Sequence, residues 1–258
     1  MELPFRAVIL ALFLAWQFAA AGDNAGLMPL REKFHLYLLI GQSNMAGRGD
    51  LPSQPIPPNP RILALNQHNE WQVAAHPLHF DKPKAGVGLG LRFAEAMLAK
   101  DDTLTIGLIP CAFGGSPLAR WVKDGDLYRQ AVARARIAMQ AGTLAGILWH
   151  QGENDSASES DAATYGARLA GMIGDLRAEL GVGDVPFVVG KLCPAFEEHP
   201  TYPFAKRVNE ALAALPPRIS KTACVDAAGL GHRGDAIHFD TQALIELGQR
   251  YAVALQHL

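Results

Sequence analysis

Cysteine is scarce in this chain: three in 258 residues, at Cys111, Cys193 and Cys224. That is too few for a disulfide-built scaffold. No Cys-x-x-Cys pair occurs, which excludes a zinc ribbon and a thioredoxin-type site. His-Glu-x-x-His is missing too, and with it the usual helix-borne zinc site. Charge of one sign is also lacking. The 23 basic and 25 acidic residues are mixed along the chain and leave a net charge of −2. A nucleic-acid surface or a polybasic membrane surface does not fit that balance. Beyond residue 21 no apolar run is long enough to cross a bilayer. A hydrophobic fraction of 49% still excludes a disordered chain.

What is present begins with an N-terminal address. Residues 1–21 read as a secretory signal peptide: Arg6, an apolar run from Ala7 to Trp16, then Ala19-Ala20-Ala21 before Gly22. A retained anchor is the alternative, but the run is too short to span comfortably. The expectation is an exported protein, periplasmic or secreted, whose residues 22–258 form one domain. The three cysteines fall in or beside apolar runs and read as buried free thiols. One disulfide with a thiol left over is the other possibility.

Five apolar runs follow: 35–40, 103–111, 144–150, 185–192 and 219–225. They do not alternate with polar residues, so they fit strands buried on both faces of a parallel sheet. Helical periodicity falls between them, at about 88–99, 126–141, 159–180, 202–214 and 241–256. Five β–α units predict a three-layer α/β/α sandwich around a five-stranded parallel sheet. Residues 44–87 interrupt the rhythm with seven prolines. They read as a long ordered loop, a length at which loops are usually functional or disordered.

In open α/β sheets, ligands bind beyond the carboxyl ends of the strands. After the first run stands Gly41-Gln42-Ser43-Asn44-Met45, with a serine at the turn. It is a candidate nucleophile, although Gly-x-Ser-x-Gly is absent and a capping serine is the plainer reading. After the second run, Gly114-Gly115 lets backbone amides approach a ligand, and Trp121 is a candidate pocket wall. After the third come His150, Gln151, Gly152, Glu153, Asn154 and Asp155. Such a polar cluster needs partners. It offers an amide to an oxyanion; a metal bound by His150, Glu153 and Asp155 is the disfavoured alternative. Before the last helix, Asp235 and His238 are three apart, a spacing that can pair a carboxylate with one imidazole nitrogen.

At these residues the chain resembles the SGNH-type hydrolases, which share a flavodoxin-like fold. It resembles more narrowly the sialate O-acetylesterase and acetylxylan esterase group, carbohydrate-esterase family six. The resembling stretches are LLIGQSNMAGRG (38–49), EWQVAAHPLHFD (70–81), GVGLGLRFAEAM (86–97), IGLIPCAFGGSPLARW (106–121), ILWHQGENDS (147–156) and DAIHFDTQALIELGQRYA (235–252).

The resemblance implies a serine esterase that needs no metal or cofactor and removes O-acetyl groups from a carbohydrate. It implies Ser43 as nucleophile, His238 as base and Asp235 as its orienter. The oxyanion would meet the amides of Ser43 and Gly114 or Gly115, with Gln151 as side-chain donor and Asn154 as second choice. One departure is Glu153-Asn154-Asp155 where relatives often show Glu-Ser-Asp. Candidate substrate contacts are Gln42, Arg48, Trp71, Arg120, Trp121 and Glu153, with Arg48 suited to a sialate carboxylate. Alternatives are a non-catalytic carbohydrate-binding protein on the same fold, or an SGNH lipase or thioesterase.

Overall fold

The computed structural model describes residues 28–54 and 57–258. The signal-peptide expectation at 1–21 lies outside the described residues. Strand β1 is Phe34–Gly41, and a single helical turn, α1, Ser43–Ala46, follows it directly. Then come β2 (Ile62–Leu65), β3 (Trp71–Val73), α2 (Gly90–Leu98), β4 (Thr105–Pro110) and α3 (Asp126–Ala138). The chain continues through β5 (Thr143–His150), α4 (Glu159–Leu180), β6 (Phe187–Gly190), α5 (Ala205–Ala213), β7 (Thr222–Val225) and α6 (Thr241–Gln256). Arg31–Leu258 forms one compact unit.

The sheet order is β3-β2-β4-β1-β5-β6-β7. Six strands are parallel, and β3 pairs antiparallel with β2 at the edge. The sheet is therefore mixed and seven-stranded, which corrects the expected five parallel strands. The two added strands come from the proline-rich segment read as a loop. A local turn makes their hairpin: the Asn66 side chain accepts from the backbone of His68 and Glu70, and Asn69 takes φ 61°. Four residues of Ile62–Leu65 between prolines are too few to give a periodic signal.

Leu36, Leu38, Leu39 and Ile40 are all buried, as unbroken apolar strands require. Helices α2 and α6 pack together, and α3 and α5 pack against α4, giving the two outer layers. The expected helices are all present, within a few residues. Asp240 caps α6 by accepting from Ala243 N–H at 2.8 Å, and Gly181 ends α4 at φ 66°. Among the described residues no helix is long and apolar enough to cross a membrane. Strand order reverses at β1, which has β4 on one side and β5 on the other. The crevice beyond the carboxyl end of β1 is thus the place where the fold offers a site.

Candidate active site

Ser43 stands in that crevice, first in α1, immediately after β1. Gly41 makes the exit from β1 at φ 134°, lying so close to the His150 backbone that any Cβ would collide. Ser43 Oγ lies 3.0 Å from His238 Nε2, although 195 residues separate them. On the other side of the ring, His238 Nδ1 is 2.6 Å from Asp235 Oδ2. The second oxygen, Oδ1, accepts the backbone N–H of Ile237 at 2.9 Å and of His238 at 2.8 Å. One carboxylate therefore folds its own loop and orients the imidazole.

Partial burial works to raise the Asp235 carboxyl. The hydrogen bonds from His238 N–H, His238 Nδ1 and Ile237 N–H outweigh it and hold the group down to about 2. A carboxylate is acceptor-only, so it fixes the proton on Nδ1 and leaves Nε2 to accept from the serine hydroxyl. The sequence expectation for Ser43, Asp235 and His238 thus meets one continuous hydrogen-bonded row.

A cavity of about 180 Å³ opens over Ser43. Gln42, Arg48, Lys82, Lys84, Gly114, Gly115, Glu153, Asn154, Tyr202, Ile237 and His238 line it. A larger groove of about 610 Å³ runs over residues 64–85 and shares only Lys82 with it.

The candidate oxyanion donors separate. The N–H groups of Ser43 and Gly115 have no partner among the described residues. Gly114 N–H is taken instead, donating to Asp81 Oδ2 at 2.9 Å. Gln151 does not line the cavity. It is fully buried, and its Nε2 lies 2.7 Å from Asp155 Oδ2, 3.1 Å from Ser116 O and 3.2 Å from Gln42 Oε1. Its amide is spent on the scaffold, which corrects its assignment as the side-chain donor. Asn154 does line the cavity; its Nδ2 gives one hydrogen to Gly115 O at 3.0 Å and has a second to give.

The expected substrate contacts separate as well. Arg48 lines the cavity but is 2% exposed and paired with Asp81 at 2.6 Å. Its charge is already neutralised, so it is not a free reader of a carboxylate. Asp81 holds Arg48 and Gly114 together, and a Cβ at Gly114 would strike both side chains. Trp121 is buried, edge-on to Trp149, with its indole N–H on Ser116 Oγ at 2.9 Å. Trp71 packs against Phe34 at the opposite, amino end of β1. Both tryptophans are core or edge residues rather than pocket walls. Arg120 pairs with Asp126 and lies over the Phe113 ring, outside the Ser43 cavity. Gln42 and Glu153 do line it.

The disfavoured metal set is not assembled. His150 Nδ1 lies 3.0 Å from the Tyr251 hydroxyl, which donates its own proton to Trp149 O. Glu153 bonds Asn44, while Asp155 accepts from Leu118 N–H, Gln151 and Arg168. Among the described residues no group of three or more such side chains is gathered to hold a metal ion. All three cysteines are free thiols, and burial pushes Cys111 and Cys224 up to about 11.

The sequence did not single out the supports Asn44 and Asp81, nor Lys82, Lys84 and Ile237 in the cavity lining. Asn44 follows Ser43 directly and Asp81 ends the stretch 70–81, so each stood beside a motif. Nothing in the sequence pointed to Tyr202.

Residues 33–257 match the family described as carbohydrate esterase, sialic acid-specific acetylesterase. This chain belongs to that family. It is 33% identical over 240 residues to a probable carbohydrate esterase of Arabidopsis thaliana, covering 85% of this chain and 89% of the relative. The crystal structure of that plant protein superposes with a TM-score of 0.80, covering 89% of this chain and 99% of the other. The crystal structure of NanS is similar in fold at 20% identity and a TM-score of 0.74, covering 89% and 98% of the two chains. So is a carbohydrate acetylesterase from Xanthomonas citri, at 21% identity and a TM-score of 0.63, covering 86% and 56%. The family membership makes the protein a carboxylic ester hydrolase, a carbohydrate acetylesterase.

Proposed function

We propose that this carbohydrate esterase releases acetate from O-acetylated sugars through an acetyl-enzyme on Ser43. The observation that carries the reading is the row Asp235–His238–Ser43, with 2.6 Å and 3.0 Å links, at the strand-order reversal. His238 Nε2 takes the hydroxyl proton as Ser43 Oγ attacks the acetyl carbonyl carbon. The developing oxyanion meets the N–H groups of Ser43 and Gly115 and the free hydrogen of the Asn154 amide. The ester C–O bond then breaks, and the sugar oxygen leaves with the proton from His238. Water, deprotonated by the same nitrogen, frees acetate and restores Ser43.

The small cavity, rimmed by Lys82 and Lys84, suits a short acyl group on a polar alcohol better than a lipid chain. The substrate class is an acetylated glycan, with sialic acid and xylan as the two to try first. The apolar segment at 1–21 supports export to a periplasm or beyond; N-terminal sequencing of the protein from its native host tests that. For the chemistry, Ser43→Ala is the test. Acetate release from acetylated sugars should vanish, and trapped acetyl-enzyme should appear by mass spectrometry only in the wild type. Undiminished turnover in the folded variant would end the proposal. A faster rate on octanoyl than on acetyl esters would favour a lipase.

A further inference from the structure

Glu153 lines the Ser43 cavity, yet the hydrolysis above gives it no part. It is 2% exposed. Its Oε1 accepts from Asn44 Nδ2 at 2.5 Å, and its Oε2 is buried with no partner among the described residues. Asn44 directly follows Ser43. The same Asn44 Nδ2 donates to Ile237 O at 3.0 Å, and Oδ1 accepts from Phe239 N–H at 3.1 Å. Ile237 and Phe239 are the two neighbours of His238, so Asn44 grips the chain on both sides of the base.

We propose that Glu153 is a positioning residue: through Asn44 it fixes the loop that carries His238, and it does so as an uncharged carboxylic acid. The inference rests on the serine-esterase reading. An asparagine amide can sit either way round. An acceptor at Glu153 Oε1 requires the NH₂ end to face it. That choice sends the second N–H to Ile237 O and the oxygen to Phe239 N–H. Without Glu153 one of the amide's three restraints is gone, and the clamp on His238 loosens.

The uncharged form follows from the surroundings. A dry, unpartnered oxygen is a costly place for charge. The titratable groups near enough to feel its charge are Asp155 in the following turn, Tyr165 in α4, Tyr251 in α6 and Cys193 after β6, none of them a cation. Across the cavity stand Arg48, Lys82, Lys84 and His238, and none bonds Glu153. Arg48 is committed to Asp81. Burial first, and Asp155 besides, pushes the Glu153 carboxyl up to about 7.

The test compares Glu153→Ala, Glu153→Gln, Asn44→Ala and the double Ala variant on an acetylated sugar, with Ser43→Ala as reference. Misplacing the base should lower kcat about 10²-fold in Glu153→Ala while KM stays within about three-fold. Glutamine keeps both the acceptor and a donor, so Glu153→Gln should stay within about five-fold of the wild-type kcat. In the Asn44→Ala background the second substitution should cost nothing further, because both act on one clamp. Where truncation prevents folding, Glu153→Met keeps the volume without the acceptor and gives the same contrast with Gln. Wild-type kcat in Glu153→Ala, with Ser43→Ala inactive, overturns the inference. So does Gln failing as badly as Ala, which would make charge the working feature, or losses that multiply in the double variant. An active Ser43→Ala would instead remove the esterase reading beneath it.

Discussion

Two polar regions meet over Ser43, and they are built on opposite principles. The loop 231–238 is mostly exposed, while Gln151, Glu153, Asp155 and Ser156 form a shelf that is closed to solvent. The exposed loop makes its geometry locally: Asp235 accepts from its own loop backbone, and His232 Nδ1 accepts from Gly234 and Ala236 N–H. The shelf bonds across the fold, from Asp155 to Leu118 and Arg168, and from Glu153 to Asn44. Chemistry sits where groups can change charge against water. Precision sits where buried polar atoms are held by partners from distant parts of the chain, Glu153 Oε2 being the exception. Substitutions in the first region should therefore cost turnover alone, and those in the shelf stability as well.

The largest expected effect is on Ser43. Its hydroxyl bonds only His238 among the described residues. Ser43→Ala should cut kcat at least about 10⁴-fold, as loss of a triad nucleophile does elsewhere. Its melting temperature should match the wild type. A large fall in melting temperature would mean that the two regions are not separable in this way.

Asp155 is the counterpart in the shelf. Its oxygens accept from Leu118 N–H at 2.9 Å, Gln151 Nε2 at 2.7 Å and Arg168 Nη2 at 3.0 Å. Asp155→Ala leaves the buried Leu118 N–H without a partner and takes one acceptor each from Gln151 and Arg168, and should cost about 1–3 kcal/mol in urea unfolding. An unchanged unfolding midpoint would show that the shelf does not depend on the Asp155 carboxylate and that the contrast is false.

How much of this was readable beforehand follows the same division. The hydrogen-bonded row was legible in parts: Ser43 falls at the exit of an apolar run, and Asp235 and His238 stand three apart just before the last helix. The exposed loop needs only its own sequence. The shelf does not: Asn44 and Glu153 are 109 residues apart, and Arg48 and Asp81 are 33 apart. Spacing along the chain places a residue at one end of the sheet without saying whether it points into the cavity or beneath it. Gln151 points beneath and Asn154, three residues on, points in. Trp71 and Trp121 misled for the same reason, since an aromatic side chain packs a core as readily as it walls a pocket. The hairpin β2–β3 stayed hidden because its strands are short and proline-flanked.

That pair sharpens the comparison further. Asn154→Ala should lower kcat about 10²–10³-fold, the usual loss for one oxyanion donor. Its stability should change by no more than about 0.5 kcal/mol, as for an exposed side chain. Gln151→Ala should do the reverse in emphasis, unfolding earlier in urea because Asp155 and Tyr165 lose a partner. If Gln151→Ala reduces turnover strongly at unchanged stability, the shelf residue is itself the donor.

The smallest effect is one of pH. The folded protein holds the Glu153 proton up to about 7, against an ordinary value of 4.5. Between those limits the unfolded chain binds fewer protons than the folded one at this group, so stability falls as pH rises. The whole difference amounts to about 3 kcal/mol, complete above pH 7 and absent below 4.5. Glutamine cannot titrate, so the stability of Glu153→Gln relative to the wild type should climb across that window and then level off. His79 and His150 pull the other way. Burial lowers both to about 3, the unfolded chain takes up their protons below 6.5, and stability is lost on acidification. Those two residues are common to both proteins, so their contribution cancels when urea midpoints are compared at each pH. A constant gap between the two proteins from pH 4 to pH 8 would mean that Glu153 ionises normally, and that the shelf is wetter than its closed oxygens imply.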